Sequence, residues 1–330
     1  MKAAVVIPYF QREPGILRRA LDTVFAQKLD PGIEVDVLIV DDESPAPPEL
    51  ETEGLSRPGF AIKIIKRRNG GPARARNTGL AAATGADWIA FLDSDDLWRE
   101  KHLATGIAAL RYGAQFYCAN NRYEGDRTWF DGLDTTPAML AASETIAPDV
   151  HRLTRDAAMG YLLEGCLAHT STVIADAKTI HGLRFDEEQE LAGEDYLFWI
   201  GAVDRSQHVA FSMALMAERG RGVDMYRSAL DWNSPQCARR LYYALLLHKK
   251  IYSRFCRTLE QKATLRSKID LLRRGIAYLM VRNAARHPKT SLWIVGRLAR
   301  KDGNGLVRLP ADMVTTTWQR ARGRLEFPVG

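Results

Sequence analysis

Short apolar segments alternate with helical patterns along roughly the first 120 residues of the chain. A helix is predicted after Pro14, where Leu17, Leu21, Val24 and Phe25 share one face, and the segment 70–83 is predicted to start with turn residues and become an Ala-rich helix. Each strand is predicted from a nearly continuous apolar run: AAVVI (3–7), VDVLIV (35–40), AIKII (61–65) and DWIAFL (87–92). Strands that are apolar throughout and separated by helices predict an α/β fold, with a mostly parallel sheet covered by helices on both faces.

The alternation of apolar strands and helices is less regular from residue 121 to residue 235. There, TSTVIA (170–175) predicts another strand, and GEDYLFWIGAV (193–203) predicts a helix whose two acidic residues suit the positive end of the helix dipole. After NSP (233–235) the chain changes to long basic helices. We therefore predict two parts, an α/β domain over 1–235 and a basic, mostly helical region over 236–330.

Polar side chains follow three of the four predicted strands at the point where each strand ends. The acidic pair at 41–42 follows the second strand, RRN (67–69) follows the third, and DSDD (93–96) follows the fourth. In sheets of this kind, ligands bind beyond the carboxyl ends of the strands. The shared position predicts a single rim of polar groups that forms a ligand site.

The segment FLDSDDLW (91–98) places Asp93, Asp95 and Asp96 within four positions. Two carboxylates about 4 Å apart repel each other by roughly 4 kcal/mol at an effective dielectric constant of about 20. A divalent cation such as Mg²⁺ or Mn²⁺, which prefers oxygen ligands and substrate phosphates, would offset this repulsion. The alternative interpretation is a polar turn with solvated acidic side chains.

Three further motifs each allow a functional and a structural interpretation. In IVDDES (39–44), Asp41 or Asp42 would accept hydrogen bonds from a base or a ribose, or else the acids cap a helix or turn. In NGGPARARNTG (69–79), the helix start with Arg74 or Arg76 would bind phosphate, or else it is simply a well-formed helix start. In AGEDYLFW (192–199), an acid would act as a general base, or else the acidic pair only caps the helix.

Composition indicates an ordinary soluble enzyme, with 46% hydrophobic and 26% charged residues in a chain of 330. The four cysteines are far apart and form no CxxC or Cys/His cluster, which disfavours a zinc site and suits a reducing cytosol. We interpret MKAAVVIPYF as a first strand rather than a signal peptide, and no run of 18 apolar residues predicts a membrane-spanning helix. A cytoplasmic protein is therefore expected.

Charge is distributed unevenly along the chain. Residues 236–330 contain 21 Lys and Arg against 5 Asp and Glu, a net charge of +16 in a chain of net charge +6, which leaves −10 for residues 1–235. Two helical apolar stripes are predicted in the basic region: Leu241, Leu245, His248, Tyr252, Phe255 and Leu259, and then Leu265, Ile269, Leu272, Ile276 and Leu279. Such helices either pack on the catalytic domain through the stripe or lie on an anionic membrane leaflet. His248 is expected to be a packing residue.

Five segments, in this order, resemble family 2 glycosyltransferases of the GT-A fold: VVIPYF (5–10), VDDES (40–44), NGGPARARNTG (69–79), FLDSDDLW (91–98) and GEDYLFW (193–199). The segments 169–199 and 220–235 are similar to a narrower group, the succinoglycan-type exopolysaccharide glucosyltransferases, which build a lipid-linked repeat unit. The resemblance implies a GT-A fold with a Rossmann-like, mostly parallel sheet and a C-terminal helical appendage.

The resemblance also implies a UDP-sugar donor and a role for the matching residues. The residues implied to bind the donor are Pro8, Tyr9, Asp41, Asp42, Asn69, Arg76, Asp93, Ser94, Asp95 and Arg227. Among them, the Pro8 region and the acidic pair at 41–42 would hold uracil and ribose, and Asp93 would contact ribose or the donor sugar. Asp95 would bind the Mn²⁺ or Mg²⁺ that bridges the diphosphate. Asp195 would be the catalytic base, with Glu194 as its rival, and the family inverts the anomeric centre in a single displacement.

The resemblance further implies transfer of one sugar, with glucose expected, to a hydroxyl of a lipid-linked saccharide in exopolysaccharide biosynthesis. No QxxRW segment follows 193–199, which disfavours a processive polymerase. The family's His after a Tyr-Arg pair is missing here, so either Arg227 neutralises phosphate or metal dependence is weaker than usual. We expect a cytoplasmic enzyme at the inner face of the membrane, with peripheral contact through the basic helices.

Two alternatives from other functional classes remain. A nucleotidyltransferase shares an α/β nucleotide site, but it would want a Gly-rich loop with a basic residue after the first strand, which PYFQREPG (8–15) fits poorly. A nucleic-acid-binding protein would use the basic C-terminal region. That interpretation leaves the acidic strand ends without a role, and no nucleic-acid partner is expected.

Overall fold

The chain divides into two compact units. The computed structural model describes residues 1–191, 193–220 and 227–322, with side chains in these ranges except at 123, 124, 227, 228, 320 and 321. The first unit comprises Met1–Glu187 with Asp195–Val223, and the second comprises Glu188–Glu194 with Asp224–Gly330. The predicted division at residue 235 remains a prediction.

Strands and helices alternate between residues 2 and 218. The strands in the described part are β1 (Lys2–Tyr9), β2 (Glu34–Asp41), β3 (Phe60–Lys66), β4 (Trp88–Phe91), β5 (Leu97–Trp98), β6 (Phe116–Glu124), β7 (Arg127–Thr128), β8 (Glu144–Ala147), β9 (Val150–Thr154), β10 (Ile174–Asp176) and β11 (His208–Glu218). The helices are α1 (Ile16–Phe25), α2 (Glu49–Thr52), α3 (Pro72–Ala82), α4 (His102–Arg111), α5 (Thr136–Ala141), α6 (Arg155–Glu164) and α7 (Glu194–Arg205), with 3-10 helices at Phe130–Gly132 and Thr170–Thr172.

These strands form one sheet of order β3-β2-β1-β4-β10-β6-β11-β9-β8, in which β5 also pairs with β11 and β7 with β6. The four strands predicted from apolar runs make a parallel block, since β1 pairs in parallel with β2 and β4, and β2 with β3. β6 and β11 are also parallel, whereas β10 is antiparallel to both of its neighbours. The predicted α/β fold with a mostly parallel sheet is confirmed.

The strand predicted over 170–175 is only partly correct. Residues 170–172 form a 3-10 helix, and β10 begins at Ile174. The backbone N–H and the hydroxyl of Thr172 both donate to the His169 carbonyl, at 2.9 and 2.8 Å. Hydroxyl side chains of this kind offer the backbone a local hydrogen bond as an alternative to a strand. A prediction based on apolar residues alone does not detect this hydrogen bond.

Helix α3 lies directly against β1. A Cβ atom added at Gly79 would stand 2.3 Å from Cγ1 of Val6, so only glycine permits this distance without a shift of the neighbouring side chain. Val5, Val6 and Ile7 of β1 are fully buried. The close packing fixes α3, and with it the loop that precedes the helix, relative to the central strands.

His102 is a core residue at the start of α4. Its side chain has no exposed surface, and its ring centre lies 4.8 Å from that of Trp98 and 6.0 Å from that of Tyr117. Burial lowers the pKa of His102 to about 3. Because the unfolded chain binds a proton near pH 6.5 and the folded chain does not, the free energy of unfolding should fall as the pH drops below about 6.5.

Between about pH 7 and pH 5, His102 is expected to account for a loss of about 2 kcal/mol of stability. The variant His102→Phe should remove this dependence, which urea unfolding at several pH values would measure. His181→Phe replaces an exposed histidine and should keep the native pH dependence. If the free energy of unfolding changed with pH equally in the native protein and in His102→Phe, the conclusion that His102 stays neutral in the folded protein would be wrong.

The second unit is helical. Its described helices are α8 (Arg227–Leu230), α9 (Pro235–Arg254), α10 (Leu259–Asn283), α11 (Pro288–Lys301) and α12 (Gly303–Ala321). Most residues of the two predicted apolar stripes are buried in one core within this unit, among them Leu241, Leu245 and Ile276 at 1% exposure. His248 is half-buried, with Nδ1 2.8 Å from the Ala244 carbonyl, as a packing residue. Within the described ranges, every helix is too short or too polar to span a membrane.

The prediction that the first stripe continues through Phe255 and Leu259 is wrong. Helix α9 ends at Arg254, and Leu259 begins α10 with 86% of its surface exposed. Thr258 caps α10: its hydroxyl accepts the Gln261 N–H at 3.1 Å, and the Gln261 side chain accepts the Thr258 N–H at 3.2 Å. The segment TLEQ (258–261) is a capping box, a helix-start signal that hydrophobic periodicity alone does not detect.

Candidate active site

The carboxyl ends of the parallel strands lie side by side. Tyr9, the last residue of β1, is in register with Asp41, the last of β2, and Asp41 is in register with Lys66, the last of β3. On the other side of β1, Leu92 follows β4 and donates its N–H to the Val6 carbonyl at 3.1 Å. The polar residues that follow the strands therefore leave the sheet at one edge, where ligands bind in folds of this kind.

Asp41 is a rim carboxylate that the protein holds through Ser44. The Ser44 N–H donates to Asp41 Oδ1 at 2.8 Å, and burial raises the pKa of Asp41. The Ser44 hydroxyl oxygen accepts the Gln11 N–H at 2.7 Å, and the Gln11 side-chain amide donates to Ser94 Oγ at 3.0 Å. Gln11 thus joins the loop after β2 to the loop after β4.

Asp42 is turned towards the protein. Its carboxylate accepts the Gly70 N–H at 3.0 Å and the Gly71 N–H at 2.7 Å, and it forms an ion pair with the Arg67 guanidinium, whose Nη1 lies 3.1 Å from Oδ1. The Asn69 side-chain amide donates to the Asp42 carbonyl at 2.9 Å. Since these bonds hold the loop before α3, Asp41 is the better placed of the two acids to receive a ligand.

Asp42→Asn is expected to lower the free energy of unfolding by about 3 kcal/mol, because a carboxamide has no charge to pair with Arg67 and offers one acceptor oxygen to the Gly70 and Gly71 N–H groups. Urea unfolding measures the loss. Glu43→Gln is the matched control, since Glu43 is exposed and its carboxylate accepts the Asn69 N–H at 3.2 Å. Equal stability of the two variants would contradict an anchoring role for Asp42.

Asp93 is oriented by Arg76, which projects from α3. Arg76 Nη2 donates to Asp93 Oδ1 at 2.8 Å, and its guanidinium lies 5.5 Å from the centre of the Phe185 ring. Arg76 is 5% exposed, whereas the Asp93 side chain is 29% exposed. The sequence suggested phosphate as the partner of Arg76; in the structure it pairs with a rim carboxylate, and its contact with phosphate remains a prediction.

The loop that carries Asp95 is anchored to the protein by the buried Asp96. Asp96 is 2% exposed, and burial raises its pKa. Its carboxylate accepts the Ser171 hydroxyl at 2.5 Å and the Gly220 N–H at 2.8 Å, and the Asp93 N–H donates to Ser171 Oγ at 3.0 Å. Of the three acids, Asp96 is therefore a structural group, while Asp95 is only partly buried.

Asp195 lies in the first turn of α7, next to the same 3-10 helix. Its Oδ2 accepts the Thr170 hydroxyl at 3.2 Å, and its Oδ1 accepts the Tyr196 N–H at 2.7 Å. Both donors are uncharged, so these two hydrogen bonds orient the carboxylate and neither of them is an ion pair. Thr170 adjoins Ser171, which places Asp195 close to the loop of Asp93 and Asp96.

A series of hydrogen bonds and adjacent residues joins the acids predicted to form the site. In order, it runs through Asp41, Ser44, Gln11, Ser94, Asp93, Ser171, Thr170 and Asp195. Asp95 lies within this series, between Ser94 and Asp96. The structure therefore links Asp41, Asp93 and Asp195 through one network beyond the carboxyl ends of the strands.

Other predicted site residues are placed differently. The Tyr9 side chain is fully buried, and burial raises its pKa to about 12, so only its backbone lies at the rim. Pro8 is partly buried within β1, and Glu194 begins α7 as a residue of the second unit. Arg227 begins α8, and its side chain lies outside the described residues.

Gln11, Thr170 and Ser171 were missed by the sequence interpretation. Gln11 lies two residues beyond the end of β1, so a search for polar side chains in the loop after the first strand would have found it. Thr170 and Ser171 belong to TST (170–172), which was assigned to a strand because of the VIA that follows. A run of hydroxyl side chains before a strand is the signal that was available.

The chain is similar to known proteins over nearly its whole length. Residues 4–166 match the model of glycosyl transferase family 2. The succinoglycan biosynthesis protein ExoW of Rhizobium meliloti is 33% identical over 313 residues, which are 91% of this chain and 94% of that protein.

Solved structures share the fold at low sequence identity. Residues 1–349 of S. aureus TarS, in complex with UDP-GlcNAc, superimpose with a TM-score of 0.62 at 16% identity, covering 100% of this chain and 98% of that one. The mannosyltransferase PcManGT of Pyrobaculum calidifontis, in complex with GDP-Man and Mn²⁺, gives a TM-score of 0.55 at 14% identity over 97% and 82% of the two chains. Together, the family match, the full-length relative and the shared fold show that the chain belongs to glycosyltransferase family 2.

Proposed function

We propose that this glycosyltransferase moves a sugar from a UDP-sugar to a hydroxyl of a lipid-linked oligosaccharide in exopolysaccharide biosynthesis, with inversion at the anomeric carbon. One observation carries this proposal: Asp41, Asp93 and Asp195 share one hydrogen-bonded rim with the loop of Asp95, at the carboxyl ends of parallel strands. The family membership favours this activity over the nucleotidyltransferase and nucleic-acid-binding alternatives.

The donor set suits a metal that is held mainly by its substrate. In the described part of the chain, no three His, Cys, Asp or Glu side chains are grouped as a metal site. Mg²⁺ and Mn²⁺ are commonly bound through one or two carboxylates together with substrate phosphates and water. We assign Asp95 as that carboxylate; a bound metal ion would supply positive charge for the diphosphate leaving group.

Asp41 and Asp93 would position the donor. Asp41 has Oδ1 occupied by Ser44, so Oδ2 would accept a hydrogen bond from the uracil or the ribose. Asp93 has Oδ1 occupied by Arg76, so its second oxygen would accept a hydroxyl of ribose or of the donor sugar. In each case a protein contact fixes the carboxylate before the ligand arrives, which lowers the entropy cost of binding.

Asp195 would remove the proton of the acceptor hydroxyl. The acceptor oxygen forms a bond to the anomeric carbon as the bond between that carbon and the UDP oxygen breaks, and the bonding electrons leave with UDP. The proton passes to Asp195, whose orientation is set by Thr170. A single displacement of this kind inverts the anomeric configuration.

The relatives support the proposed donor and acceptor. ExoW is named for succinoglycan biosynthesis, and the resemblance to succinoglycan-type glucosyltransferases implies glucose. The TarS complex contains UDP-GlcNAc and the PcManGT complex contains GDP-Man, which define the competing donors to compare. A lipid-linked saccharide is the acceptor that a succinoglycan-type enzyme would use.

A donor screen tests the proposal. The protein is incubated with UDP-glucose, UDP-GlcNAc or GDP-mannose and a bacterial membrane extract as acceptor, and nucleotide release is measured against heat-inactivated protein. Release from UDP-glucose, with a product of inverted configuration by NMR, is expected. Release from UDP-GlcNAc alone would overturn the glucose assignment, and no release from any donor would overturn the proposed reaction.

A further inference from the structure

The outer face of α12 exposes an apolar stripe that the sequence interpretation did not identify. Val307 is 81% exposed, Val314 is 72% exposed and Trp318 is 50% exposed, and Ala311 between them is exposed as well. The successive spacings of four, three and four residues place all four on one side of an α-helix. This set, Val307, Ala311, Val314 and Trp318, is here named the α12 stripe.

The α12 stripe is separate from the face that holds the second unit together. Leu309 and Thr316 lie on the opposite side of α12 and are buried, at 8% and 0% exposure. Leu309 belongs to the apolar core formed with α9, α10 and α11. Helix α12 therefore has one apolar face that stabilises the unit and a second that faces solvent, so the exposure of the stripe does not come from loose packing of the helix.

The exposed charged side chains that α11 and α12 carry are basic, and two of them pair with acids from other segments. The exposed charged side chains described between residues 288 and 322 are all basic: Lys289, Arg300, Lys301, Arg308 and Arg322. The two acids of this segment, Asp302 and Asp312, are buried at 3% and 8% exposure. Among the basic groups, Lys301 pairs with Glu188 and Arg308 with Asp270.

Trp318 is the most informative residue of the stripe. The Arg322 guanidinium lies 3.9 Å from the centre of its ring. An indole that is half exposed and covered by a cation is suited to the boundary between lipid headgroups and acyl chains. On the neighbouring helix α11, Leu292 is 73% exposed, which adds a further apolar side chain to the same segment.

We propose that the α12 stripe, with its surrounding basic side chains, binds the surface of an anionic lipid bilayer. Valine and tryptophan side chains would enter the headgroup region, while lysine and arginine would attract anionic headgroups. A second copy of the chain fits less well, because pairing two such faces would bring like charges together. This surface would suit an enzyme with a lipid-linked acceptor, but lipid binding is measurable without donor or acceptor.

The test uses the full chain and vesicles of phosphatidylcholine, with or without about one third phosphatidylglycerol. Native protein should sediment with the anionic vesicles, less so at high salt, and not with pure phosphatidylcholine. The double variant Val307→Asp/Val314→Asp should reduce partitioning at least about tenfold, because two apolar groups at the membrane boundary become charged. Both positions are exposed, so its circular dichroism and thermal unfolding should match the native protein.

Leu259→Asp is the matched control, since it places the same charge at an exposed leucine of the same unit. It should partition like native protein, and all three proteins should bind UDP equally. Unchanged partitioning of the double variant, or equal binding to neutral vesicles, would overturn the proposal. So would light scattering that showed a native dimer dissociated by the double variant, because the stripe would then be an interface between two copies.

Discussion

Asp195→Asn is expected to lower kcat by about a thousandfold, with UDP affinity within about twofold of the native value. Asparagine keeps the size of the side chain and, with one acceptor oxygen, retains either the Thr170 hydroxyl, 3.2 Å from Oδ2 in the native protein, or the Tyr196 N–H, 2.7 Å from Oδ1. It cannot take a proton from an acceptor hydroxyl at neutral pH. The variant therefore removes the chemistry and leaves the rim in place, so turnover and donor binding should respond differently.

Steady-state UDP release and calorimetric UDP binding measure these two quantities. Glu194→Gln is the informative comparison, because Glu194 is the adjacent acid and the rival candidate for the base. Asp156→Asn is the control for loss of a surface carboxylate, since the Asp156 side chain is 83% exposed. A thousandfold loss in Glu194→Gln with an active Asp195→Asn would transfer the role of base to Glu194.

Asp95→Ala should abolish metal-dependent binding of UDP and reduce turnover by about a thousandfold or more. Asp95 follows Asp93 and Ser94, which are held by Arg76 and Gln11, and precedes Asp96, which is held by Ser171. Because these neighbours anchor the loop, loss of the Asp95 carboxylate should change the ligand set of the metal more than the shape of the loop.

Calorimetry of UDP with and without Mn²⁺ measures this effect directly. Native protein should bind UDP more tightly with Mn²⁺, and Asp95→Ala should bind it equally in both conditions. Asp156→Ala should retain the native enhancement. An enhancement that survives in Asp95→Ala would place the metal on another group, and the assignment of Asp95 would be wrong.

Much of the α/β fold was readable from the pattern of apolar residues. The four strands of the parallel block begin and end within two residues of the predicted apolar runs. A strand buried on both faces needs apolar side chains at every position, so its sequence signal is continuous and strong. The rule that ligands bind at the carboxyl ends of such strands then indicated the acidic pair at 41–42, RRN (67–69) and DSDD (93–96) as the polar groups of a site.

The partners of the site residues were much less predictable. Arg76 looked like a phosphate ligand because it stands near a helix start, yet it pairs with Asp93 from another loop. Asp41 and Asp42 are adjacent and chemically identical, but Asp42 turns inwards to the Gly70 and Gly71 amides while Asp41 stays at the rim. A local sequence motif specifies which groups are present, whereas their orientation depends on donors that are distant in the sequence.

In the C-terminal region, too, the sequence identified apolar faces without specifying what each face contacts. Periodicity correctly indicated amphipathic helices, but the stripes of α9 and α10 are buried within their own unit, and the exposed apolar face lies on α12. An amphipathic pattern predicts that one face of a helix will be buried, but it does not identify the surface on which that face packs.

The sequence by itself determined the parallel strands, the acidic strand ends, the helical character of the C-terminal region and the resemblance to a transferase family. Each of these is a property of consecutive residues, because strand burial, helix periodicity and motif spacing are local. Only the tertiary structure decided that Asp42 and Asp96 anchor loops, that Thr170 and Ser171 connect Asp195 to the Asp93 loop, and that the α12 stripe remains exposed. These outcomes depend on hydrogen bonds and packing between segments far apart in the chain, and no local pattern of residues encodes such contacts.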